Sequence, residues 1–341
     1  MSQILAVGDP IARPAAAHER VTVTLDPRRA LQLALGALWL LDGMLQFQPS
    51  MFGRGFPQML AGSAHGNPAV VARPITWSAG IIGHHVVALN SLFAVIQLLL
   101  GLGIAWRPAV KFALAGSVVW SLAVWWLGEG LGGVLAGTAS LVNGAPGAVL
   151  LYALLAILLW PADRHPATRA PADRHPAVGT RAARVPAVPF TAARAVGRPV
   201  AQVSWLVVWL GLAALALLPA SRAIGRTVAD TTPGEPAWLA GIDAHLASAL
   251  TRNGLLASVA LAVVLVVVAA SPFLPRPAAR AIIVLAVGLA AAVWLAQGLG
   301  GILTGSATDP DTGPLLALLA LAFWPLASSA DGSLASSAEE N

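Results

Sequence analysis

An apolar run in the first half of the chain ends at Trp125–Gly137, WWLGEGLGGVLAG, and this segment carries the carboxyl group of Glu129. A second copy, WLAQGLGGILTG, occupies Trp294–Gly305. Over the twelve positions that both copies cover, eight are identical, and the change with the largest chemical effect replaces Glu129 by Gln297. The two copies predict an internal duplication in which only the first half kept the acidic group.

The composition of the chain is that of a membrane protein. Of its 341 residues, 57% are hydrophobic and 10% are charged, and the mean hydropathy is +0.76. Soluble domains carry roughly 25% charged residues, so we expect apolar helices in a lipid bilayer. The chain has no cysteine, which excludes disulfides, thiolate metal ligands and thiol redox chemistry.

Eight apolar runs are long enough to cross a bilayer, whose hydrocarbon core of about 30 Å needs about 20 helical residues. They predict an all-α membrane protein with eight transmembrane helices. The runs cover residues 30–48, 81–105, 109–131, 144–160, 202–219, 250–271, 278–299 and 313–330.

The runs group into two four-helix repeats, residues 30–160 and 202–330, each with a long loop between its first two helices. Because four is an even number, both repeats should cross the membrane in the same sense, as parallel repeats. Besides the glycine-rich copies, the matching anchors are Trp39 and Pro49 with Trp209 and Pro219, Trp77–His84 with Trp238–His245, and Asn90 with Asn253.

The positions of the basic residues predict the orientation. With the N-terminal tail, residues 1–29, in the cytoplasm, fifteen of the twenty Lys and Arg residues fall in cytoplasmic segments, as the positive-inside rule requires. We therefore expect a plasma-membrane protein whose N-terminal tail and C-terminal tail, residues 331–341, are both cytoplasmic. The same distribution explains the sequence pI of 11.1 without a nucleic-acid partner.

Residues 161–201 join the repeats and are rich in Pro, Ala and Arg, with the heptapeptide PADRHPA at 161–167 and again at 171–177. Such a composition cannot bury a core and predicts a disordered cytoplasmic linker. We expect its arginines to contact anionic lipid headgroups.

Polar groups that occur in only one half predict a functional site in the first repeat. A charged group at the centre of a membrane helix costs about 2.5–3.5 kcal/mol on insertion scales, so such groups tend to be kept for function. The predicted topology places most of them in the outer part of the first three helices, and Gln97 about two turns deeper. The candidates for ligand binding or proton coupling are the unmatched groups Asp42, Gln46, His85, Gln97 and Glu129, together with His84 and Asn90, which recur in the second half but lie at the same level.

A metal site would draw on His84, His85 and Glu129, which are ligand types for Zn²⁺ or Cu²⁺. Adjacent histidines on one helix diverge by about 100°, so both cannot be directed at one ion without distortion. The chain contains no HExxH, Walker A or GxSxG motif and no dinucleotide-binding context for its glycines. The sequence therefore identifies no cofactor and favours a non-catalytic role.

The four-helix unit, the polar cluster on helix one, the long first loop and the glycine-rich end of helix three resemble the DoxX-like superfamily of small bacterial membrane proteins. The segments Leu38–Gly43 (LWLLDG) and Trp125–Gly133 are also similar to uncharacterised actinobacterial integral membrane proteins. The resemblance covers each half separately and implies a four-helix membrane fold. For some members it implies a role as the small subunit of a quinone-reducing enzyme, and it transfers no catalytic residue.

Three functions follow from these features. The first is an accessory membrane protein that binds a small ligand, a quinone, an ion or a metal, at the polar site. The second is a proton-coupled transporter of a small solute, which requires Asp42 and a water-accessible path between the repeats. The third is the membrane subunit of a quinone-linked oxidoreductase, in which a membrane-protein partner carries the cofactor.

Overall fold

The computed structural model describes residues 25–161, 189–305 and 307–326, and the regular secondary structure of this part is helical apart from one isolated strand-like pairing of Phe190 with Pro325. The predicted all-α class is therefore confirmed. In chain order, the α-helices are α1 (Pro27–Leu45), α2 (Gly55–Gly62), α3 (Ala69–His84), α4 (Val86–Ala105), α5 (Val110–Leu127), α6 (Ala148–Leu158), α7 (Ala193–Val196), α8 (Arg198–Ala216), α9 (Pro219–Arg222), α10 (Ile224–Thr231), α11 (Ala237–Arg252), α12 (Gly254–Ala269), α13 (Arg276–Ala296) and α14 (Thr312–Ala322). Short 3₁₀ turns occupy Pro49–Phe52, Gly130–Gly133, Ser271–Phe273 and Gly298–Thr304.

Five helices of the described part are long and apolar enough to cross a membrane: α4, α5, α8, α12 with the turn that follows it, and α13. Their outer faces expose large apolar side chains, such as Phe112 at 82% and Leu256 at 68%, which suits contact with lipid. The chain is thus a multi-pass membrane protein. The other three predicted spans do not meet these criteria of length and composition. Helix α1 carries three charged residues, and α6 and α14 have only 11 residues each.

Small residues bring α1 and α4 close together. A Cβ atom added to Gly101 would lie 2.7 Å from the carbonyl oxygen of Gly36, so neither position has room for a side chain. Such contacts are typical of helix pairs in membranes. The ends of α1 and α6 are also joined, because Gln32 Nε2 donates to the Leu159 carbonyl over 2.8 Å.

The long loop predicted between the first two membrane helices is itself helical. It contains α2 and α3, and α3 begins directly after Pro68, whose φ of −56° suits a helix start. The predicted span 81–105 is corrected at its beginning, because His85 has non-helical angles (φ −134°, ψ 36°) and α4 starts at Val86.

The prediction of a disordered linker is corrected at its C-terminal end. Residues 189–201 of the predicted disordered linker are folded, since the Phe190 ring packs on Phe323 with a centroid distance of 4.8 Å and α8 begins at Arg198. The rest of the linker, the N-terminal tail before residue 25 and the predicted C-terminal tail lie outside the described residues.

The match of Trp77 with Trp238 is also wrong as a structural equivalence. Trp77 is the ninth residue of α3, whereas Trp238 is the second residue of α11, although both helices have 16 residues and follow a proline. The proline sets where each helix begins, and the tryptophans then fall at different places on it.

Candidate functional site

A cavity of about 390 Å³ lies among α1 to α5, and the loop of residues 307–311 borders it. We call it the inner cavity. Four of the seven predicted site residues line it: Asp42, Gln46, Gln97 and Glu129. Residues that are up to 87 positions apart in the sequence, from α1, α4 and the end of α5, are thus brought to one place.

Asp42 lines the inner cavity and is only 1% exposed. The hydroxyl group of Tyr152, on α6, donates to Asp42 Oδ1 over 2.9 Å. The Tyr152 ring packs on Trp39 at 4.1 Å between ring centroids, and Trp39 Nε1 donates to Ser117 Oγ over 3.0 Å. Trp39, Ser117 and Tyr152 are each 0% exposed, so they form a closed layer beside Asp42.

The two glutamines of the inner cavity have acceptor atoms without a donor. Gln46 Nε2 donates to the Thr308 carbonyl over 3.3 Å, but Gln46 Oε1 has no partner. Gln97 Oε1 is likewise buried and unpaired. Asn90 is different, because its Nδ2 donates to the Gln46 backbone carbonyl over 2.7 Å and it does not line the cavity. Asn90 therefore holds the end of α1 against α4.

The glycine-rich segment turns Glu129 towards the start of α6. Leu131 and Gly132 have φ values of 58° and 64°, a left-handed conformation that glycine adopts without cost. At Gly132 a Cβ atom would lie 2.5 Å from the Pro146 carbonyl oxygen, so only glycine permits this approach. As a result Glu129 Oε1 accepts from the Val149 amide over 3.3 Å, at the positive end of the α6 dipole. Glu129 Oε2 is buried without a partner.

Sequence analysis missed Asp309, which comes from the second half and lines the inner cavity. Its carboxyl group accepts from the Asp311 amide over 2.7 Å and from Thr308 Oγ1 over 2.9 Å. Burial raises the pKa of Asp309, and burial together with the charge of Asp309 raises the pKa of Asp311 to about 7. The prediction that the polar site belongs to the first half alone is thus corrected, because the 307–311 loop folds over α1.

A second cavity of about 410 Å³ lies on the side of the glycine-rich turns, and we call it the vestibule. Ser63, Glu129 and Asp309 line both cavities, and Asp311 lines the vestibule alone. The side chains of Glu129 and Asp309 therefore lie between the vestibule and the inner cavity.

The remaining predicted residues lie elsewhere. His84 and His85 are exposed and line neither cavity. The structure therefore does not bring them to Glu129 as a metal site would require. In the described ranges, no three His, Asp or Glu residues are grouped so that they could hold a metal ion.

The second half has different chemistry at the matching place. Gln297 Nε2 donates to the Leu141 carbonyl over 3.1 Å and to Thr312 Oγ1 over 2.9 Å. In the second half an amide donor therefore contacts the start of α14, whereas in the first half the carboxyl group of Glu129 accepts from the start of α6. Sequence analysis also missed an acidic pair, the half-buried Glu235 and the buried Asp243. Burial and the neighbouring Asp243 carboxyl group raise the pKa of Glu235 to about 7.

The inner cavity combines acids and acceptors with an apolar wall. None of the described residues that line it is Lys, Arg or His. Buried carboxylates need a compensating positive charge or a proton, so the arrangement can exchange protons or bind a ligand that supplies donors. No protein-family model, curated protein or solved structure matches the chain.

Proposed function

We propose that the protein is an integral membrane protein of the plasma membrane that binds a small ligand in the inner cavity. The observation that carries this proposal is that Asp42, Gln46, Gln97, Glu129 and Asp309 line one cavity. Its volume of about 390 Å³ falls within the roughly 300–1,000 Å³ that is usual for small-molecule sites. This is the accessory, ligand-binding role, with DoxX-like proteins as the proposed relatives.

We also propose that the two halves are copies of one four-helix unit. Supporting this, the paired glycines Gly130 and Gly298 have φ values of 56° and 60°, and Leu131 and Leu299 have φ values of 58° and 55°. Gly132 packs on the carbonyl group of Pro146, and Gly300 packs on that of Pro310. The same unusual turn is thus built twice, each time at the start of a short apolar helix.

Cysteine labelling tests the ligand-binding proposal, because the chain has no cysteine of its own. Ser63→Cys and Ser78→Cys place a thiol on the wall of the inner cavity, and Ala94→Cys places one in the closed core at 0% exposure. We expect N-ethylmaleimide to label the first two variants in purified protein and to spare the third. If Ser63→Cys and Ser78→Cys were as unreactive as Ala94→Cys, no ligand could reach the cavity and the proposal would fail.

Proton-coupled transport is the second proposed function, and the shared position of Glu129 and Asp309 favours it. A solute moving from the vestibule to the inner cavity must pass these two carboxyl groups, which can take up or release protons as it passes. Transport further requires that the layer formed by Trp39 and Tyr152 opens. Proteoliposomes with an internal pH-sensitive dye test this, with trial solutes of positive, zero and negative charge. Proton movement that depends on a solute and is lost in Asp42→Asn supports transport, and its absence for all solutes leaves the binding role.

A further inference from the structure

The lining of the inner cavity indicates which chemical class of ligand it takes. We propose that the ligand is a small organic cation, an ammonium group joined to an apolar or aromatic body. This assignment rests on the ligand-binding function proposed above and makes it specific.

The first argument is charge. The carboxyl groups of Asp42, Glu129 and Asp309 reach the cavity from three separate segments, and none of the described lining residues is basic. Burying carboxylates without a positive partner is unfavourable. A cationic ligand supplies that partner, and it can replace protons that the empty site would hold. An anionic ligand would add to the repulsion.

The second argument is hydrogen bonding. Gln46 and Gln97 are 4% and 8% exposed, they line the cavity, and the Oε1 atom of each has no donor. Glu129 Oε2 is unpaired as well. These three unmatched atoms are acceptors, and the one unmatched donor among the described lining residues is Trp120 Nε1. Acceptors therefore outnumber donors, and the complementary ligand is mainly one that donates. An ammonium group has donors and no acceptor, whereas a quinone offers carbonyl oxygens, which could accept from Trp120 but would leave the three acceptors unpaired.

The third argument is the aromatic wall. Phe56, Phe93 and Trp120 line the same cavity, with ring centroids 6.4 Å apart for Phe56 and Phe93 and 5.4 Å apart for Phe93 and Trp120. Aromatic faces attract cations through the ring quadrupole, and tryptophan does so best. A site with carboxyl groups on one side and aromatic rings on another matches a cation with an apolar body better than it matches a hydrated metal ion.

Three probes of similar size and different charge test the assignment: 2-phenylethylammonium, neutral 2-phenylethanol and anionic 3-phenylpropanoate. The readout is protection of the Ser78→Cys variant from N-ethylmaleimide. We expect the ammonium probe to protect at a concentration roughly tenfold lower than the alcohol needs, and the anion not to protect.

Variants in the Ser78→Cys background sharpen the result. Asp42→Asn keeps an oxygen that accepts from Tyr152 and removes the charge, while Trp120→Leu removes an aromatic face. Each should weaken protection by the ammonium probe roughly tenfold, and each should weaken protection by 2-phenylethanol less, because the alcohol carries no charge for the carboxyl group or the ring face to attract. Asp230→Asn, on the exposed surface of α10, is the matched control and should change neither.

Each contrary outcome has a distinct meaning. Equal protection by the ammonium and the alcohol, stronger protection by the anion, or no protection by any probe would overturn the cation assignment. The binding proposal itself is judged by whether N-ethylmaleimide reaches Ser63→Cys and Ser78→Cys at all. A labelled thiol with no preference for the cation would therefore overturn this inference and leave the proposed function standing.

Discussion

The hydroxyl group of Tyr152 donates a hydrogen bond to Asp42 Oδ1 over 2.9 Å, and this pair links α6 to α1 in the interior of the bundle. Tyr152 is 0% exposed and Asp42 is 1% exposed, so both partners are buried. Asp42 lines the inner cavity, so the pair ties this carboxyl group of the site to the stability of the fold.

Tyr152→Phe should therefore destabilise the protein although it keeps the ring that packs on Trp39. The buried Asp42 side chain loses its hydroxyl donor, and an unsatisfied buried group costs about 1–3 kcal/mol. Thermal unfolding in detergent measures the loss. In the double variant Tyr152→Phe with Asp42→Asn, the two effects should not add, because both act on one contact. Additive losses would show that the two side chains do not depend on each other.

Exchanging the acid and the amide of the two glycine-rich segments should also be unfavourable, and more so in the second half. Gln297→Glu removes the amide that donates to Leu141 and Thr312 and places a carboxylate oxygen against a carbonyl oxygen. We expect a loss of about 2–4 kcal/mol in unfolding free energy at pH 8, and a smaller loss at pH 5, where a protonated carboxyl group can donate again.

Glu129→Gln is the reciprocal change and serves as its control. A glutamine oxygen can still accept from the Val149 amide as Glu129 Oε1 does, so the loss should be below about 1 kcal/mol, as for a helix cap that keeps its acceptor. If Glu129→Gln destabilised the protein as much as Gln297→Glu, the assignment of donor and acceptor in the two halves would be wrong.

The sequence predicted helix positions better than it predicted contacts between distant segments. Apolar runs marked α4, α5, α12 and α13 to within a few residues because lipid-facing helices need long apolar stretches. The run 81–105 predicts one continuous helix, whereas the structure breaks it at His85. Apolar residues flank His84 and His85, so hydropathy gives no sign of the break before α4.

Asp309 and Tyr152 could not be found in the same way. Asp309 contributes to a cavity whose other acids are more than 170 positions away, and periodicity carries no information about which loop folds over which helix. A weak signal did exist for each. Tyr152 is the only tyrosine of the chain, and Asp309 and Asp311 lie in a short turn without a basic residue, where like charges need a structural reason.

The contact of α1 with α4 should tolerate no side chain at Gly101. A Cβ atom there would lie 2.7 Å from both the Gly36 carbonyl oxygen and Leu40 Cγ, so the helices must move apart. We expect Gly101→Ala to lower the unfolding free energy by about 1–3 kcal/mol. Gly80→Ala, on α3 with nothing within 4 Å of the added atom, is the matched control and should be neutral or stabilising by about 0.5–1 kcal/mol. Equal effects of the two substitutions would contradict close packing of α1 on α4.

The acidic pair of the second half predicts a pH dependence of stability. Neither carboxyl group of Glu235 and Asp243 has a donor from another described residue. A protonated Glu235 therefore donates to Asp243, in keeping with a pKa of about 7 for Glu235 against an ordinary 4.5. The folded protein holds this proton at pH values where the unfolded chain has released it, so the unfolding free energy should fall as pH rises from 4.5 to about 7.

Glu235→Gln removes this titration, because an amide donates to Asp243 at every pH. Its unfolding free energy should fall less than that of the wild type between about pH 5 and pH 8, measured by chemical denaturation in detergent. A residual slope remains in the variant, since the pKa of Asp311 is also raised to about 7. Asp230→Asn, an exposed acid on α10, should keep the wild-type slope. If Glu235→Gln and Asp230→Asn gave the same slope, the proton shared by Glu235 and Asp243 would not contribute to the stability of this half.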